Sequence, residues 1–508
     1  MTETKLVEQI DCNDAPSQLF EALNESSVRY CNWKSSIRIP EGLQGRTDLD
    51  LLIDPRDTIA FREILHKHDL KLTRPAPGKD YPGIENYLGF DASTGRLFHL
   101  HVHYQLVLGE QFVKNYHLPI EDAFLDETIL RHGLKAPRPE VEIIVLCLRA
   151  LLKYRDRDAF KDMFPMLRLL GKKGGLPGDI TKEIRWLLGQ TTLEQVSEQL
   201  SNWKGIVPSA AVMGFLTLVT RNEPPGRRLW HYRGMVRQAL RGYQRRDRLA
   251  ASLRYFREEW RRKRRIFKPA TEKKMTFANN GPRIAFVGVD GSGKSTVTGR
   301  ISKWLAWRVS VGVFYMGKTR ATLPALAIQP FIKLARMANS FTTRHFGAQS
   351  PPAKLTAGPR EILENLSALL QGQARLRAYR ESCRRAGEGT VVLYDRYPIN
   401  SVWVDNYPMD GPRISAHSGW MKGLQSRLAR AEATVYRQIQ PPDHVIFLQV
   451  SPAVSQSRRP EDNGASLATK AHAIDRIKPD GFELTVIHAE QPLEDVLAQV
   501  KPVLWKLL

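Results

Sequence analysis

Cysteine is scarce in this chain. There are four in 508 residues, Cys12, Cys31, Cys147 and Cys383, and no Cys-x-x-Cys pair. That excludes a disulfide-stapled scaffold and a zinc ribbon, and it agrees with a reducing, cytoplasmic setting. Long apolar runs are also missing. The longest, around "IIVLCLRALL", is interrupted by Arg149 and falls short of the roughly 20 residues that cross a bilayer. The opening "MTETKLVEQIDCNDAP" has neither the basic start nor the apolar middle of a signal peptide. Negative charge is short as well: 53 Asp and Glu stand against 76 Lys and Arg, a formal net charge of +23. A hydrophobic fraction of 42% is enough for real cores, and the length suits two or three domains.

The excess charge is local. Between Arg221 and Lys274 stand nineteen Lys and Arg against five Asp and Glu. Tyr232, Val236, Leu240 and Tyr243 recur there at helical spacing, as do Leu249, Leu253, Phe256 and Trp260. One or two amphipathic helices with a basic outer face are expected. Two readings stay open for residues 226–268: a surface for anionic lipid headgroups or nucleic acid, or a solvated connecting helix packed by its aromatic stripe. "FKPATEKKMTFANNGP" then reads as an exposed linker.

Beyond it stands "IAFVGVDGSGKSTVTGRI". Gly288, Gly291 and Gly293 let the backbone turn and aim N–H groups at a polyphosphate. In this pattern Lys294 reaches the β- and γ-phosphates, Ser295 ligates Mg²⁺, and Ser292 and Thr296 complete the loop. "RIAFVGV" suits a buried parallel strand, and Val297, Ile301 and Leu305 continue at helical spacing. Further on, the strand in "EGTVVLYDRYPINS" delivers Asp395 and Arg396 at its C-terminal end, where ligands of open α/β sheets sit. Such an Asp holds Mg²⁺ or its water, and the Arg neutralises charge in transfer. Arg458 and Arg459 follow the strand in "PPDHVIFLQVSP" and suit a lid over ATP phosphates.

Four blocks, "VGVDGSGKST", "VVLYDRYP", "PPDHVIFLQVSPAVSQSRRPED" and "TVIHAEQPLEDV", together resemble thymidylate kinase and its relatives among the P-loop nucleotide kinases. The resemblance covers less than half of the chain. It implies a parallel sheet flanked by helices, ATP with Mg²⁺ as cofactors, transfer of the γ-phosphoryl group to a small-molecule phosphate acceptor, and a dimer. It implies that Asp290 faces the acceptor's sugar, that Asp395 and Arg396 form the Asp-Arg motif, and that Arg458 or Arg459 serves the lid. The acceptor half departs from the family. After "VGVFY" comes "MGKTRATLP" in place of an Arg-Glu-Pro-Gly-Gly-like loop, leaving Lys318 or Arg320 to grip a phosphate. Asn400 stands where the family has serine, and His488 where relatives commonly carry Asp. An insertion lies between Arg320 and Arg360, and "MDGPRI" offers Arg413 as another phosphate ligand. The donor half is intact; the acceptor half is rebuilt.

Toward the N-terminus, "YCNWKSSIRIPEGLQGRTDLDLLIDP" places Asp48 and Asp50 on one face of a strand, since side chains alternate. Two such carboxylates can bind metal for nucleotidyl transfer. With Ser35-Ser36 upstream, this resembles the uncharacterised bacterial nucleotidyltransferases, in which a Gly-Ser turn precedes an Asp-x-Asp strand. That fold wants a third carboxylate on a later strand. "GFDASTGRLFHLHVHYQL" instead offers His99, His101 and His103 on one face, with His101 in the third place. Either His101 completes a metal site with Asp48 and Asp50, suited to a softer ion such as Mn²⁺, or the transferase is degenerate.

The expected architecture is α/β: a P-loop kinase with a parallel sheet flanked by helices, preceded by an α+β nucleotidyltransferase-like domain with a helical extension. The expected boundaries are 1–125 for the transferase-like domain, 126–220 for a helical cap, 221–280 for the basic bridge and linker, and 281–508 for the kinase-like domain. The expected activity is an ATP-dependent nucleotide kinase. The alternatives are a regulatory or scaffold protein that binds nucleotide without turnover, and a kinase acting on a sugar or polysaccharide precursor.

Overall fold

The computed structural model describes residues 14–76, 78–110, 112–154, 178–221, 226–264, 274–317, 323–404, 407–414, 421–460 and 481–508. The chain divides into two units, Met1–Lys273 and Lys274–Leu508, each built around a sheet of its own.

In the first unit, strands β1 (Tyr30–Asn32), β2 (Asp48–Ile53), β3 (Lys71–Arg74), β4 (Ile84–Asp91) and β5 (Arg96–His103) lie in the order β1-β2-β5-β4-β3. Only the β2–β5 pair is parallel among them. Alternation decides the faces. Leu49, Leu51, Ile53, Leu100 and Val102 point into a core closed by helices α1 (Ala15–Glu25) and α2 (Thr58–Lys67), through Leu19, Phe20, Leu23, Phe61 and Leu65. The opposite face is left with Asp48, Asp50 and the three histidines. The β4–β5 hairpin turns just after Asp91, whose carboxylate accepts from the backbone N–H groups of Ser93 and Thr94, both at 3.2 Å.

A second core joins α3 (Pro139–Lys153) to α4 (Gly178–Leu188), α5 (Leu193–Asn202), α6 (Ser209–Thr220) and α7 (Gly226–Ala239). The longest apolar run belongs to α3, buried on nearly every side from Val141 to Leu152, so it is a core helix. At α5, the Thr192 side chain accepts from Gln195 N–H while the Gln195 side chain accepts from Thr192 N–H, a capping box that fixes the helix start. The basic segment forms two helices, α7 and α8 (Arg248–Arg264). Val236 and Leu240 are buried as the first stripe requires. The second stripe is not packed: Leu249, Leu253, Phe256 and Trp260 are 78%, 70%, 68% and 54% exposed.

In the second unit all five strands of the main sheet are parallel: β6 (Arg283–Val287), β7 (Val311–Tyr315), β8 (Val391–Asp395), β9 (His444–Gln449) and β10 (Glu483–His488), in the order β7-β8-β6-β9-β10. Ile284, Ala285, Phe286 and Val287 are all buried, as a parallel strand covered on both faces should be. The helices among the described residues are α9 (Lys294–Leu305), α10 (Leu323–Phe346), α11 (Pro351–Gly387), α12 (Lys422–Tyr436), α13 (Pro452–Arg458) and α14 (Leu493–Leu507). The insertion read between Arg320 and Arg360 is α10 with the start of α11. The linker expected before the loop is exposed at Asn279 and Asn280 but not throughout. Met275 is 9% and Phe277 2% exposed, because Met275 bridges to Val309 and Phe277 N–H donates to Gly389 at 3.0 Å.

Candidate functional site

Strand β6 runs straight into the glycine loop, and α9 starts at Lys294. The loop sequence follows from space. A Cβ on Gly288 would lie 2.6 Å from the Leu448 carbonyl oxygen, and Gly291 holds φ +86°, with its Cβ position 2.9 Å from the Ser455 oxygen. Neither position accepts a side chain without a shift. The loop rims a cavity of about 380 Å³ lined by residues 290–297, Arg396, Arg458, Arg459, Ala489 and Gln491, among others.

Lys294 is 5% exposed, and its ammonium donates to the Val289 carbonyl at 2.6 Å. Burial, then repulsion from Arg396, pulls its pKa down to about 8. Asp395 arrives from the end of β8, beside Phe286 of β6 in register. One of its oxygens, Oδ2, accepts from Ser295 Oγ at 2.6 Å. Its other oxygen, Oδ1, is buried and has no hydrogen-bond partner among the described residues. A hydroxyl beside an under-used carboxylate is the oxygen donor set a hard divalent cation takes, so these residues fit Mg²⁺. Ser292 is 1% exposed, and its hydroxyl has no hydrogen-bond partner among the described residues.

Arg396 adopts φ +71°, a left-handed backbone that costs a non-glycine residue of order 1–3 kcal/mol. The turn brings its guanidinium to Asp290, with which it forms an ion pair. Asp290, expected to face an acceptor sugar, is thus engaged by Arg396. Arg458 donates to the carbonyls of Gly291 at 3.3 Å and Ala489 at 3.1 Å, pinning α13 to the loop. Arg459 caps α13 and is exposed.

The acceptor ligands fare differently. Lys318 and Arg320 lie outside the described residues. Arg413 is exposed and is not part of the cavity lining. The same "MDGPRI" stretch places another residue near the site: Asp410, 8% exposed at φ +56°, whose charge acts on both Lys294 and Arg396. Arg375 of α11, 3% exposed, holds it by donating to the Asp410 carbonyl at 2.6 Å. Sequence reasoning missed both. Asp-Gly reads as a turn, and nothing in a 37-residue helix marks one arginine as buried. Ala489 and Gln491 were missed as wall residues, although the block containing them was noticed.

In the first unit the parallel register sets Asp48 against His99 and Asp50 against His101. Asp48 pairs with His99 at 2.8 Å, and His99 Nε2 meets Asn86 at 3.2 Å. Asp50 meets His101 at 2.8 Å and the Lys34 ammonium at 2.6 Å, with His103 Nε2 3.2 Å from His101. Among the described residues, those with metal-ligand spacing are Asp50, His101 and His103, whereas the expectation named Asp48, Asp50 and His101. Burial opposes the Asp50 charge, yet Lys34 and the two imidazoles hold its carboxyl well below the usual range. Burial lowers His101 and lowers His103 further. It also brings Lys114 down to about 7, with Lys34 repelling it. Asp48 thus turns to His99, and Lys34 stands on Oδ1 of Asp50, the oxygen that His101 also meets. Ser35 holds φ +58° and Ser36 N–H donates to Glu142 at 2.8 Å, so this turn is tied to α3.

No family model matches the chain. The chain is similar to the uncharacterised ATP-binding protein YghS of Escherichia coli strain K12, 26% identical over 240 residues, which is 44% of this chain and 94% of that protein. It is also similar to the uncharacterised ATP-binding protein YghR of the same strain, 28% identical over 227 residues, 43% of this chain and 84% of that one. Each match leaves more than half of this chain uncovered. A solved structure of a deoxyadenosine kinase from M. mycoides with bound dATP aligns with 44% of this chain and 98% of its own, at 14% identity and a TM-score of 0.25, too slight a likeness to argue from.

Proposed function

We propose that the second unit binds ATP in the 380 Å³ cavity and is a phosphotransferase of nucleotide-kinase type, transferring the γ-phosphoryl group to a nucleoside monophosphate or related phosphate acceptor. The observation that carries this is the pairing of Ser295 with Asp395 at the end of the neighbouring strand, with one Asp395 oxygen left over. That second oxygen, beside the Ser295 hydroxyl, suits the Mg²⁺ that accompanies ATP. The names of the two E. coli relatives, both ATP-binding, support the donor half. The thymidylate-kinase resemblance supports the reaction type. The departures at Lys318, Arg320 and Asn400 leave dTMP as the family default, with a sugar or polysaccharide precursor as the competing acceptor.

The roles follow from position. The loop N–H groups and the α9 N-terminus cradle phosphate oxygens. Lys294 exchanges its Val289 contact for the β- and γ-phosphates. Arg396 and Arg458 supply positive charge at the transferring group and the cavity rim. Ser295 and Asp395 would hold Mg²⁺, which when bound neutralises charge on the phosphate oxygens. A screen of nucleoside monophosphates and sugar phosphates with γ-labelled ATP tests the reading. Label transfer to one of them identifies the acceptor; ATP binding without transfer to any would leave the regulatory alternative.

We also carry forward, as a second reading, a docking role for residues 226–268 on anionic membrane or nucleic acid, in a cytoplasmic setting. The exposed stripe of α8 favours it.

A further inference from the structure

Helix α10 has two unlike sides. Ile328, Ile332, Ala335, Asn339 and Thr342 recur at helical spacing and are buried or half-buried. This side faces α11, for Thr342 meets Thr356 at 2.8 Å and Arg336 meets Glu364 at 2.7 Å. Leu326, Phe331, Leu334, Met337 and Phe341 are 52%, 60%, 66%, 70% and 58% exposed. At 3.6 residues per turn they fall on one arc of about 140°, with Lys333 and Arg344 along its edge. Scattered apolar residues on a surface need no explanation, but a contiguous face of this kind marks an interaction site.

The charge around the face says which partner suits it. No Asp or Glu occurs between Asp290 and Glu361. Two copies pressed face to face would bring their cations together with no acid of α10 to offset them. An anionic surface would offset them. The apolar arc is also broad and aromatic, as in helices that lie in a headgroup layer. No described helix is long and apolar enough to cross a membrane, so α10 would lie along the surface rather than through it. We propose that α10 docks the second unit on an anionic lipid bilayer, with Phe331, Met337 and Phe341 in the acyl boundary and Lys333 and Arg344 among the headgroups. This site is separate from α8 and does not depend on the identity of the phosphate acceptor.

The test is co-sedimentation of the full chain with phosphatidylcholine vesicles, pure or with roughly one third phosphatidylglycerol. The wild type should bind the anionic vesicles at least tenfold more tightly than the neutral ones, with binding that weakens as salt rises. Joint substitution Phe331→Gln, Met337→Gln and Phe341→Gln should cost at least tenfold. Lys333→Gln with Arg344→Gln should cost several-fold and flatten the salt dependence. Unchanged ATP binding reports that each variant is folded. If the triple variant fails that check, the Lys333 and Arg344 pair decides. The proposal is overturned if the wild type does not bind, if folded α10 variants bind undiminished, or if Leu253→Gln with Phe256→Gln in α8 alone removes binding. A wild-type dimer that the triple variant turns into a monomer overturns it as well, by showing that a second copy covers the face.

Discussion

Two sheets in this chain each end in a carboxylate cluster, and the clusters are finished differently. In the second unit Asp395 gives one oxygen to Ser295 and keeps the other for something not supplied by the described residues. In the first unit Lys34, His101 and, at 3.8 Å, His103 all converge on one oxygen of Asp50, Oδ1. An unmatched buried oxygen is costly unless a ligand completes it, so the Asp395 arrangement is prepared for a cation and the Asp50 arrangement is not. The second already contains its cation, as a lysine. An Asp-x-Asp strand therefore does not by itself make a metal centre, because the neighbouring strand decides whether the carboxylates are spent.

The largest expected effect breaks the satisfied site. Lys34 and Asp50 have side chains only 15% and 14% exposed. Removing one partner of a buried pair typically costs about 3–5 kcal/mol, while replacing both is much cheaper. Lys34→Met should thus lower the unfolding free energy of the full chain by that order, and Lys34→Met with Asp50→Leu should recover most of it in denaturant titrations. The sign with pH is fixed. Asp50 is depressed in the fold, so its contribution is present above the ordinary carboxylate pKa and is lost as pH falls through the folded value. Lys34→Met also frees the Asp50 oxygen. Mn²⁺ should then bind, measured by calorimetry, better than in the wild type and better than Mg²⁺, because imidazoles suit the softer ion. His101→Ala should abolish that gain. Equal Mn²⁺ affinity in all three proteins would show that the histidines are structural only.

Breaking the unsatisfied site should cost activity rather than folding. Lys294→Ala should reduce phosphoryl transfer by roughly 10²–10³-fold, the usual loss for one electrostatic group at a transition state, with little change in thermal midpoint. Asp395→Asn keeps the Ser295 contact but removes the charge, and should raise the Mg²⁺ concentration needed for half-maximal rate. Wild-type turnover in Lys294→Ala would remove the loop from the chemistry.

How far these sites could be read beforehand tracks how local their causes are. The phosphate loop was legible because strand, glycines, lysine and helix are contiguous, and the structure forms them in that order. Asp395 and Arg396 were legible because parallel strands carry ligands at their C-terminal ends. The face shared by Asp48, Asp50 and the histidines followed from alternation alone. The pairing on that face did not. It depends on which strand neighbours β2 and on Lys34 arriving from the turn before it, both long-range facts. Asp410 and Arg375 were hidden for the same reason: they are 35 residues apart and meet only after α11 has folded back. The α8 stripe had the spacing of a buried face and is exposed, since periodicity shows that a helix has two sides but not that both are occupied.

The smallest effect concerns pH, and it separates the two lysines. Lys294 falls to about 8 in the ligand-free protein because it is buried with Arg396 near it. Between that value and its ordinary 10.5, the unfolded chain holds a proton that the folded chain has released. Stability without ligand should therefore rise slightly with pH across that window, the reverse of the usual lysine case. ATP affinity should do the opposite. Below about pH 8 the ammonium is already charged and affinity should be level; above it, binding must first recharge the amine, and affinity should fall by up to tenfold per pH unit. Lys294→Arg keeps a guanidinium that does not titrate in this range, so its affinity should be flat from pH 7 to 10 even if its absolute value is lower. Lys34, held by Asp50 in the first unit, has no phosphate to meet, and Lys34→Met should leave the slope in ATP affinity unchanged. Parallel pH profiles for the wild type and Lys294→Arg would show that some other group, not the loop lysine, sets the dependence.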